Sequence, residues 1–253
     1  MFDAPNPVTL GIIPARKAST RFPAKPLALL CGKPLLQWTY ERTLKCTKLD
    51  AVVIATDDQE IYDCAVGFGA QVVMTKVDHP TGTDRIAEAA SHFPSAQHLI
   101  NIQGDEPLIE PELIDALADK LQNESQYDIV TAANVFGEED VNDPNYVKVV
   151  LGKAGEALYF SRSPIPFRRQ PAADLPNYRH KGIYGFQRSA LEAFVWLPMG
   201  ALEQAEQLEQ LRALENGMKI HVTITEDTSI GLDTPEQVPI IESQLKALLS
   251  DEA

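Results

Sequence analysis

The sequence predicts an α/β fold in which a mixed, mostly parallel sheet is flanked by helices, with a smaller subdomain. Through the first 140 residues, short apolar runs alternate with amphipathic stretches, an order typical of parallel strands joined by helices. The apolar runs are continuous, as expected of strands covered on both faces. After about residue 140 come short strands, a glycine turn and a stretch rich in Pro and Arg, which indicate the smaller subdomain.

The first half of the chain contains the elements of the main sheet. The candidate strands are short and apolar, and they lie at residues 8–15, 51–56, 70–75, 97–103 and 128–136. The helices between them carry end signals, with Pro34 in a first turn, Gly69 at a carboxyl end, and Thr83 or Asp84 as a plausible cap. These helices are predicted at residues 32–46, 57–69, 82–93 and 110–124.

The second half is less regular. Two short strands are predicted around a glycine turn within 145–167, followed by an irregular stretch to about residue 181. The remaining elements are a strand at 182–186, helices at 188–197 and 201–217, a strand at 219–225 and a terminal helix at 234–249. We interpret residues 1–253 as a single domain, with a smaller insertion at about 140–190.

Composition excludes several classes of function. The formal net charge of −14 argues against nucleic-acid binding, which favours a basic surface. No apolar run reaches 18 residues and no secretory signal is evident, so neither a membrane span nor export is expected. The three cysteines are odd in number and lack metal-ligand spacing, which predicts reduced thiols in a cytoplasmic protein.

A basic loop follows the first strand of this acidic chain. Within "GIIPARKASTRFPAKPL" (11–27), four cations fall in ten residues: Arg16, Lys17, Arg21 and Lys25. Together with the hydroxyl of Ser19 they could hold a nucleoside triphosphate, because arginine offers a bidentate fork and lysine a mobile point charge. Neither a Walker loop nor a GxGxxG fingerprint is present. The alternative interpretation is a solvated loop.

Two carboxylates complete a predicted magnesium site. Asp105 lies in "NIQGDEP" directly after a strand, with Glu106 as the weaker candidate, and Asp233 lies in "SIGLDTPEQ" before the last helix. Hard carboxylates at element ends are suited to Mg²⁺ bound beside a triphosphate. Taken singly, Asp105 could instead be a turn or cap residue and Asp233 the N-cap of the terminal helix.

Eight motifs together resemble the 3-deoxy-manno-octulosonate cytidylyltransferases, also called CMP-Kdo synthetases. In order they are "IIPARKASTRFPAKPL", "DHPTGTDRIAE", "NIQGDEP", "VKVV", "ALYFSRSPIPF", "HKGIYGF", "LEQLR" and "GLDTPEQ", spanning about residues 8–249. The resemblance implies a fold like the nucleotide-diphospho-sugar transferases and a homodimer. It implies that CTP and an octulosonate sugar acid, Kdo, give the CMP-sugar and pyrophosphate for lipopolysaccharide synthesis.

The resemblance also assigns residues. The catalytic set is Arg16, Arg21, Lys25, Asp105 and Asp233, the last two being the magnesium ligands. The nucleotide-binding set is Arg16, Ser19, Arg21, Lys25, Thr83, Asp84, Arg85 and Asp105. The sugar-binding set is Gln103, Arg162, His180, Tyr184, Glu209 and Gln210. The 140–190 insertion is expected to contribute to the sugar site and to dimer contact.

Several of these positions could have purely structural roles. His180 could be a structural histidine, Tyr184 a core residue, and Arg162 the partner of an internal acid. Glu209 follows Leu202 by seven residues, which predicts nearly the same side of the 201–217 helix, although Glu209 could simply pair with Arg212. His79 and His92 are interpreted as ordinary surface or loop residues.

Two departures from the family pattern leave the sugar open. Lys17 stands where the family usually has an aromatic residue, and Gln204 lies in "ALEQAE" where the family often has "PLEHIE". The sugar acid could therefore be Kdo or its 8-amino-3,8-dideoxy analogue. An enzyme like CMP-sialic acid synthetase and a non-catalytic nucleotide sensor are also compatible with the sequence.

Overall fold

The computed structural model describes residues 7–17, 22–137, 140–170 and 175–251. The chain divides into two compact units, residues 1–115 with 229–253, and residues 116–228. The second unit contains the predicted 140–190 insertion but begins earlier and ends later. Within the described ranges, no helix is both long and apolar enough to cross a membrane.

The first unit contains four parallel strands: β1 Thr9–Ala15, β4 Ala51–Thr56, β5 Gln71–Met74 and β6 His98–Asn101. Their order in the sheet is β6-β1-β4-β5. The central strand β1 is buried on both faces, and Leu10, Ile12 and Ile13 are fully buried. This arrangement confirms the predicted parallel sheet and explains why its strands have continuous apolar sequences.

Three helices connect these strands. They are α1 Leu35–Thr43, α2 Gln59–Gly67 and α3 Gly82–Ser91, and α4 Pro111–Asn123 follows β6. The predicted start of the first helix at residue 32 was wrong. Residues 29–34 instead form a hairpin of β2 Leu29–Leu30 and β3 Lys33–Pro34. Cys31 and Gly32 both have positive φ, 49° and 81°, as the tight two-residue turn of such a hairpin requires.

The carboxyl-terminal segment completes the first unit. A 3₁₀ turn at Pro235–Gln237 leads into α8 Val238–Asp251. Leu232, Ile241 and Leu245 pack with Leu30, Leu35 and Trp38 in one buried cluster. This apolar contact fixes residues 229–253 against the amino-terminal part of the unit although more than 180 residues separate them in sequence.

The second unit contains a mixed sheet. Its strands are β7 Ile129–Phe136, β8 Lys148–Leu151, β9 Ala157–Ser161, β10 Asn177–Gln187 and β11 Ile220–Thr225. β7 pairs in parallel with β11 and antiparallel with β10, and β8 pairs antiparallel with β9. β10 begins at Asn177, so the strand predicted at 182–186 is longer than expected, and its register shifts between Lys181 and Tyr184.

The helices of this unit correct one prediction. α5 spans Arg188–Phe194, and the helix predicted at 201–217 is two short helices, α6 Ala201–Glu206 and α7 Gln210–Glu215. The break falls at Gln207, whose φ of 54° is left-handed and cannot continue a right-handed helix. Leu202 and Glu209 therefore do not share one helix face.

Candidate active site

The carboxyl ends of β1 and β6 border a cavity of about 690 Å³ in the first unit. Predicted site residues from distant parts of the sequence line it: Arg16, Lys25, Arg85, Gln103, Asp105 and Asp233. The loop after β6 passes close to β1, because a Cβ on Gly104 would lie only 3.0 Å from the carbonyl oxygen of Pro14. A larger residue at position 104 would push the β6 loop away from the basic loop.

Lys25 connects the basic loop to both predicted metal ligands. Its Nζ lies 2.5 Å from Oδ2 of Asp105 and 3.7 Å from Oδ1 of Asp233. The Lys25 side chain is only 14% exposed. Since both carboxylates reach the same ammonium group, they lie close enough together to share one cation.

Backbone and capping hydrogen bonds position Asp233 beside Asp105. The N–H of Leu232 donates to the carbonyl oxygen of Asp105 at 2.8 Å, which aligns the two aspartate segments. The N–H groups of Asp233 and Thr234 donate to Oε1 of Gln237, closing the capping box of the 3₁₀ turn. The N-cap is Thr234, so the structure does not support the interpretation of Asp233 as a helix cap.

The carboxylate pair fits a magnesium ion. The ammonium of Lys25 contacts both carboxylates and balances their negative charge, as a bound metal ion would. Among the described residues, no group of three or more His, Cys, Asp or Glu side chains could hold a metal. Two protein carboxylates suit Mg²⁺, which commonly takes its remaining oxygens from water and substrate phosphates.

The rest of the basic loop is described only in part. Arg16 directly follows β1 and lines the cavity. Ser19 and Arg21 lie outside the described residues. Lys17 pairs with Glu60 and lies 3.9 Å from Asp58, the N-cap of α2. The hydrogen bond to Glu60, together with the charges of Asp58 and Glu60, raises the pKa of Lys17.

The "TGTDR" segment has a structural role at the start of α3. Thr81 is the N-cap, and Asp84 bonds back to it in a capping box, so the predicted cap at Thr83 or Asp84 was off by a few residues. Thr83 is buried. Arg85, 3% exposed, donates to Oδ2 of Asp57 at 3.0 Å and to Thr75. Its guanidinium thus joins α3 to the ends of β4 and β5 at the cavity wall.

His79 also lines the cavity, although sequence reasoning interpreted it as an ordinary loop residue. Its Nε2 pairs with Oε2 of Glu88, which also accepts from the N–H of Lys76 at 2.9 Å. Burial works against ionisation of Glu88, yet its bonds to Lys76 and His79 leave its pKa below the ordinary value. The spacing of nine residues between His79 and Glu88 matches no common motif, so the pair was missed.

Two predicted sugar residues form an aromatic cluster in the second unit. The rings of His180 and Tyr184 lie 5.4 Å apart, and Nε2 of His180 lies 2.9 Å from the hydroxyl of Thr131. That hydroxyl donates to the carbonyl of Ile183 at 2.6 Å, so it accepts from Nε2–H of His180 and leaves Nδ1 as an acceptor. Burial lowers the pKa of His180 to about 3, and burial with the charge of Glu209 raises the pKa of Tyr184.

Arg162 and Lys148 hold loop carbonyls in the second unit. The guanidinium of Arg162 donates to the carbonyl oxygens of Pro144 and Glu206, both within 2.9 Å. The fully buried ammonium of Lys148 donates to the carbonyls of Asp143, Tyr146 and Arg162. Arg162 therefore pairs with backbone carbonyls here, an arrangement that neither interpretation of the sequence included.

Glu209 and Gln210 lie at the start of α7. Gln210 is buried, while the side chain of Glu209 is 30% exposed. Arg212 bonds mainly to Glu203, at 2.8 and 2.6 Å, and its contact with Glu209 is longer, at 3.9 Å. The pairing of Glu209 with Arg212 predicted as the structural alternative is therefore present, as a longer contact beside the closer Glu203–Arg212 pair.

A mostly parallel sheet with cations and carboxylates gathered beyond its strand ends defines the class of α/β proteins that bind ligands at that edge. The cytidylyltransferase family matches residues 10–220 of the chain. The chain belongs to this cytidylyltransferase family, whose members are nucleotidyltransferases.

Individual relatives agree with this assignment. A 3-deoxy-manno-octulosonate cytidylyltransferase of Solibacter usitatus is 49% identical over 239 residues, covering 94% of each chain. One of Thermodesulfovibrio yellowstonii is 48% identical over 250 residues, covering 94% of this chain and 98% of the relative. The structure of a CMP:2-keto-3-deoxy-manno-octonic acid synthetase complexed with CTP matches at a TM-score of 0.90 and 37% identity, covering 97% and 99% of the two chains.

A more distant structure shows only the shared fold. A 4-diphosphocytidyl-2C-methyl-D-erythritol synthase of Anaerococcus prevotii matches at a TM-score of 0.62 with 14% identity. The fold is thus that of the nucleotidyltransferases, as the sequence predicted.

Proposed function

We propose that the chain activates a 3-deoxy-octulosonate sugar acid with CTP, giving the CMP-sugar and pyrophosphate for lipopolysaccharide synthesis. The observation that carries the proposal is the contact of Lys25 with both Asp105 and Asp233, at the strand ends where the family motifs predict the triphosphate. The names of the Solibacter and Thermodesulfovibrio relatives support Kdo as the sugar acid.

The residues of the basic loop would bind and orient CTP. The nucleophile is the anomeric hydroxyl of the sugar acid, which must approach the α-phosphorus in line with the departing pyrophosphate. Lys25 and Arg16, with Arg21 from the sequence prediction, would offset charge on that leaving group. Each such preorganised donor is typically worth a few kcal/mol.

Asp105 and Asp233 would hold Mg²⁺. When bound, the ion supplies charge neutralisation at the phosphates and lowers the pKa of a coordinated hydroxyl. Lys25 is near enough to both carboxylates to exchange partners, neutralising them when they are free and the phosphates when substrate is present.

The sugar acid would use acceptor and donor groups of the second unit that the motifs predict. A neutral His180 with Nδ1 as an acceptor suits a sugar hydroxyl rather than a carboxylate. Tyr184 keeps its phenolic proton because its pKa is raised, so it can donate a hydrogen bond. Arg162 would act on the sugar only by leaving the carbonyls that it holds here.

A panel of sugar acids distinguishes the proposed activity on Kdo from activity on another sugar acid and from a nucleotide sensor without catalysis. Pyrophosphate release is measured with CTP, Mg²⁺ and each of Kdo, its 8-amino analogue and sialic acid. Release with Kdo well above the other two supports the proposal. Preference for the 8-amino acid or sialic acid would replace the substrate, and CTP binding without release would favour the nucleotide sensor. The names of the relatives favour Kdo over the other two acids.

We also infer a cytoplasmic homodimer. All three cysteines are free thiols, as a reducing compartment favours. Phe167 and Trp196 of the second unit are 89% and 87% exposed, and large apolar side chains so exposed are typical of interaction surfaces. Sedimentation of the wild type and of the Trp196→Lys variant tests the dimer, and a wild-type monomer at micromolar concentration would contradict it.

A further inference from the structure

His79 is a cavity residue that the predicted triphosphate and metal sites leave unexplained. The side chains of His79 and Glu88 are 16% and 24% exposed, so the pair is largely enclosed. A carboxylate only accepts, and the hydrogen between the two groups therefore lies on Nε2 of His79. Nδ1 makes no hydrogen bond with any residue that the structure describes, and in the neutral ring it is an acceptor.

The Glu88 carboxylate fixes the orientation of the His79 ring and is itself held by a backbone N–H group. Glu88 lies on α3 and also accepts from the N–H of Lys76, just after β5. The imidazole is therefore held between the end of β5 and α3 and cannot turn without losing its carboxylate partner. A ring held in this way presents the same edge to each ligand in the cavity.

The strand order separates His79 from the triphosphate end of the cavity. Asp105 follows β6 and His79 follows β5, and β1 and β4 lie between those strands in the sheet. The segment that carries His79 returns from β5 toward β1, because a Cβ on Gly82 at the start of α3 would lie 3.7 Å from the Pro14 ring. His79 and Asp105 thus line the same cavity from segments that follow different strands. A nucleotide whose phosphates contact Lys25 and Asp105 would have its base in reach of His79 within this cavity.

Cytosine and uracil differ in the group that would meet Nδ1. Cytosine carries an exocyclic amine that donates, whereas uracil has a carbonyl oxygen at the same position. The amine would donate to Nδ1, while the uracil oxygen would face a second acceptor and stay unpaired. A site built around one hydrogen bond rejects the analogue that lacks it because a buried polar group is then left unsatisfied.

We propose that His79, oriented by Glu88, is the residue that selects cytosine over uracil in this cavity. The inference rests on the proposed use of CTP. It gives a specificity role to a residue outside the catalytic and binding sets predicted from the sequence motifs.

Calorimetric titration with CTP and with UTP, each with Mg²⁺ and without sugar acid, tests the inference. The His79→Phe variant keeps a ring but loses both nitrogens, and we expect the ratio of CTP to UTP affinity to fall about tenfold, equivalent to about 1.4 kcal/mol. A general loss of structure would weaken both nucleotides and leave the ratio unchanged. His92→Phe, at the other end of α3, is the matched control and should keep the wild-type ratio.

Glu88→Ala provides a second variant in which the imidazole stays but can turn. We expect the ratio of CTP to UTP affinity to fall here too, but by less than in His79→Phe. An unchanged ratio in both variants, with wild-type preference for CTP intact, would overturn the role of His79 and leave the proposed function standing. A wild type that does not prefer CTP would overturn both.

Discussion

The ammonium of Lys25 lies 2.5 Å from the carboxylate of Asp105. This contact joins the basic loop after β1 to the segment after β6, and the same ammonium reaches Asp233. This charge-assisted bond joins residues 80 positions apart, so the fold itself holds the cation and the carboxylate together. The proposed catalytic roles depend on that assembly.

Loss of the Lys25 ammonium should slow turnover far more than it weakens CTP binding. We expect Lys25→Ala to lower kcat by about 10²–10³, because a preorganised donor acts mainly on the charge of the departing pyrophosphate. Asp105→Asn should have a comparable effect. Steady-state kinetics with varied CTP measures both.

Lys33→Ala is the matched control for the lysine variant. Lys33 pairs with Glu41 and lies over the ring of Trp38, away from the cavity lining. Its variant should keep wild-type kcat. Near-normal kcat in Lys25→Ala or Asp105→Asn would refute their catalytic assignment.

Lys25 should compete with a divalent ion for the two carboxylates. In the absence of nucleotide, we expect Mn²⁺ to bind Lys25→Ala more tightly than the wild type, because no ammonium then neutralises Asp105 and Asp233. Water-proton relaxation with Mn²⁺ measures the affinity. Equal affinity in the two proteins, or binding that persists in the double variant Asp105→Asn, Asp233→Asn, would contradict the assignment of these ligands.

The buried histidine predicts a pH dependence of stability. The pKa of His180 falls from 6.5 to about 3 on burial, so below pH 6.5 the unfolded chain takes up a proton that the folded chain does not. The stabilisation is complete above pH 6.5 and is lost as the pH falls toward 3, at about 1.4 kcal/mol per pH unit. Urea unfolding of the wild type and His180→Gln between pH 7.5 and 5 should give curves that converge at low pH.

The comparison isolates one histidine. His98 and His221 also have lowered pKa values, because both are partly buried, but they are present in both proteins and cancel. His92→Gln should run parallel to the wild type. Parallel pH dependence for His180→Gln as well would show that His180 is not buried in its neutral form.

Lys148 should contribute strongly to stability. Its ammonium satisfies three backbone carbonyls in a fully buried position, and Lys148→Met would leave these oxygens without the donor. We expect the free energy of unfolding to drop by about 3 kcal/mol. Denaturant unfolding measures this, with Lys153→Met in an exposed turn as the control. A change below about 1 kcal/mol would mean that water replaces the ammonium.

Much of the first unit follows from local sequence patterns. Continuous apolar runs identify parallel strands, and parallel strands bring their carboxyl ends to one edge, so Arg16 and Asp105 could be placed together without a structure. Asp233 was predicted as the second magnesium ligand from its place before the last helix, but no local pattern showed that this turn meets Asp105. Its local sequence resembles a helix cap, whereas its actual place is set by Leu232 packing with Leu30 and Trp38 far along the chain.

Other features depended on contacts that sequence spacing does not encode. The chain turns at Gln207 within a segment of good helical composition, because α6 packs against α7 through the Glu203–Arg212 pair. The role of His79 depends on Glu88 and on the strand order of β5, and neither is visible in "DHPTGTDR". Local patterns therefore predicted the sheet and its basic loop, and tertiary packing decided the remaining site residues.

A crystal of the protein with CTP and Mn²⁺, without sugar acid, tests the central claim most directly. We predict an anomalous peak within about 2.5 Å of carboxylate oxygens of both Asp105 and Asp233, with the triphosphate against Lys25. A nucleotide bound elsewhere, or a metal that contacts neither aspartate, would contradict the account.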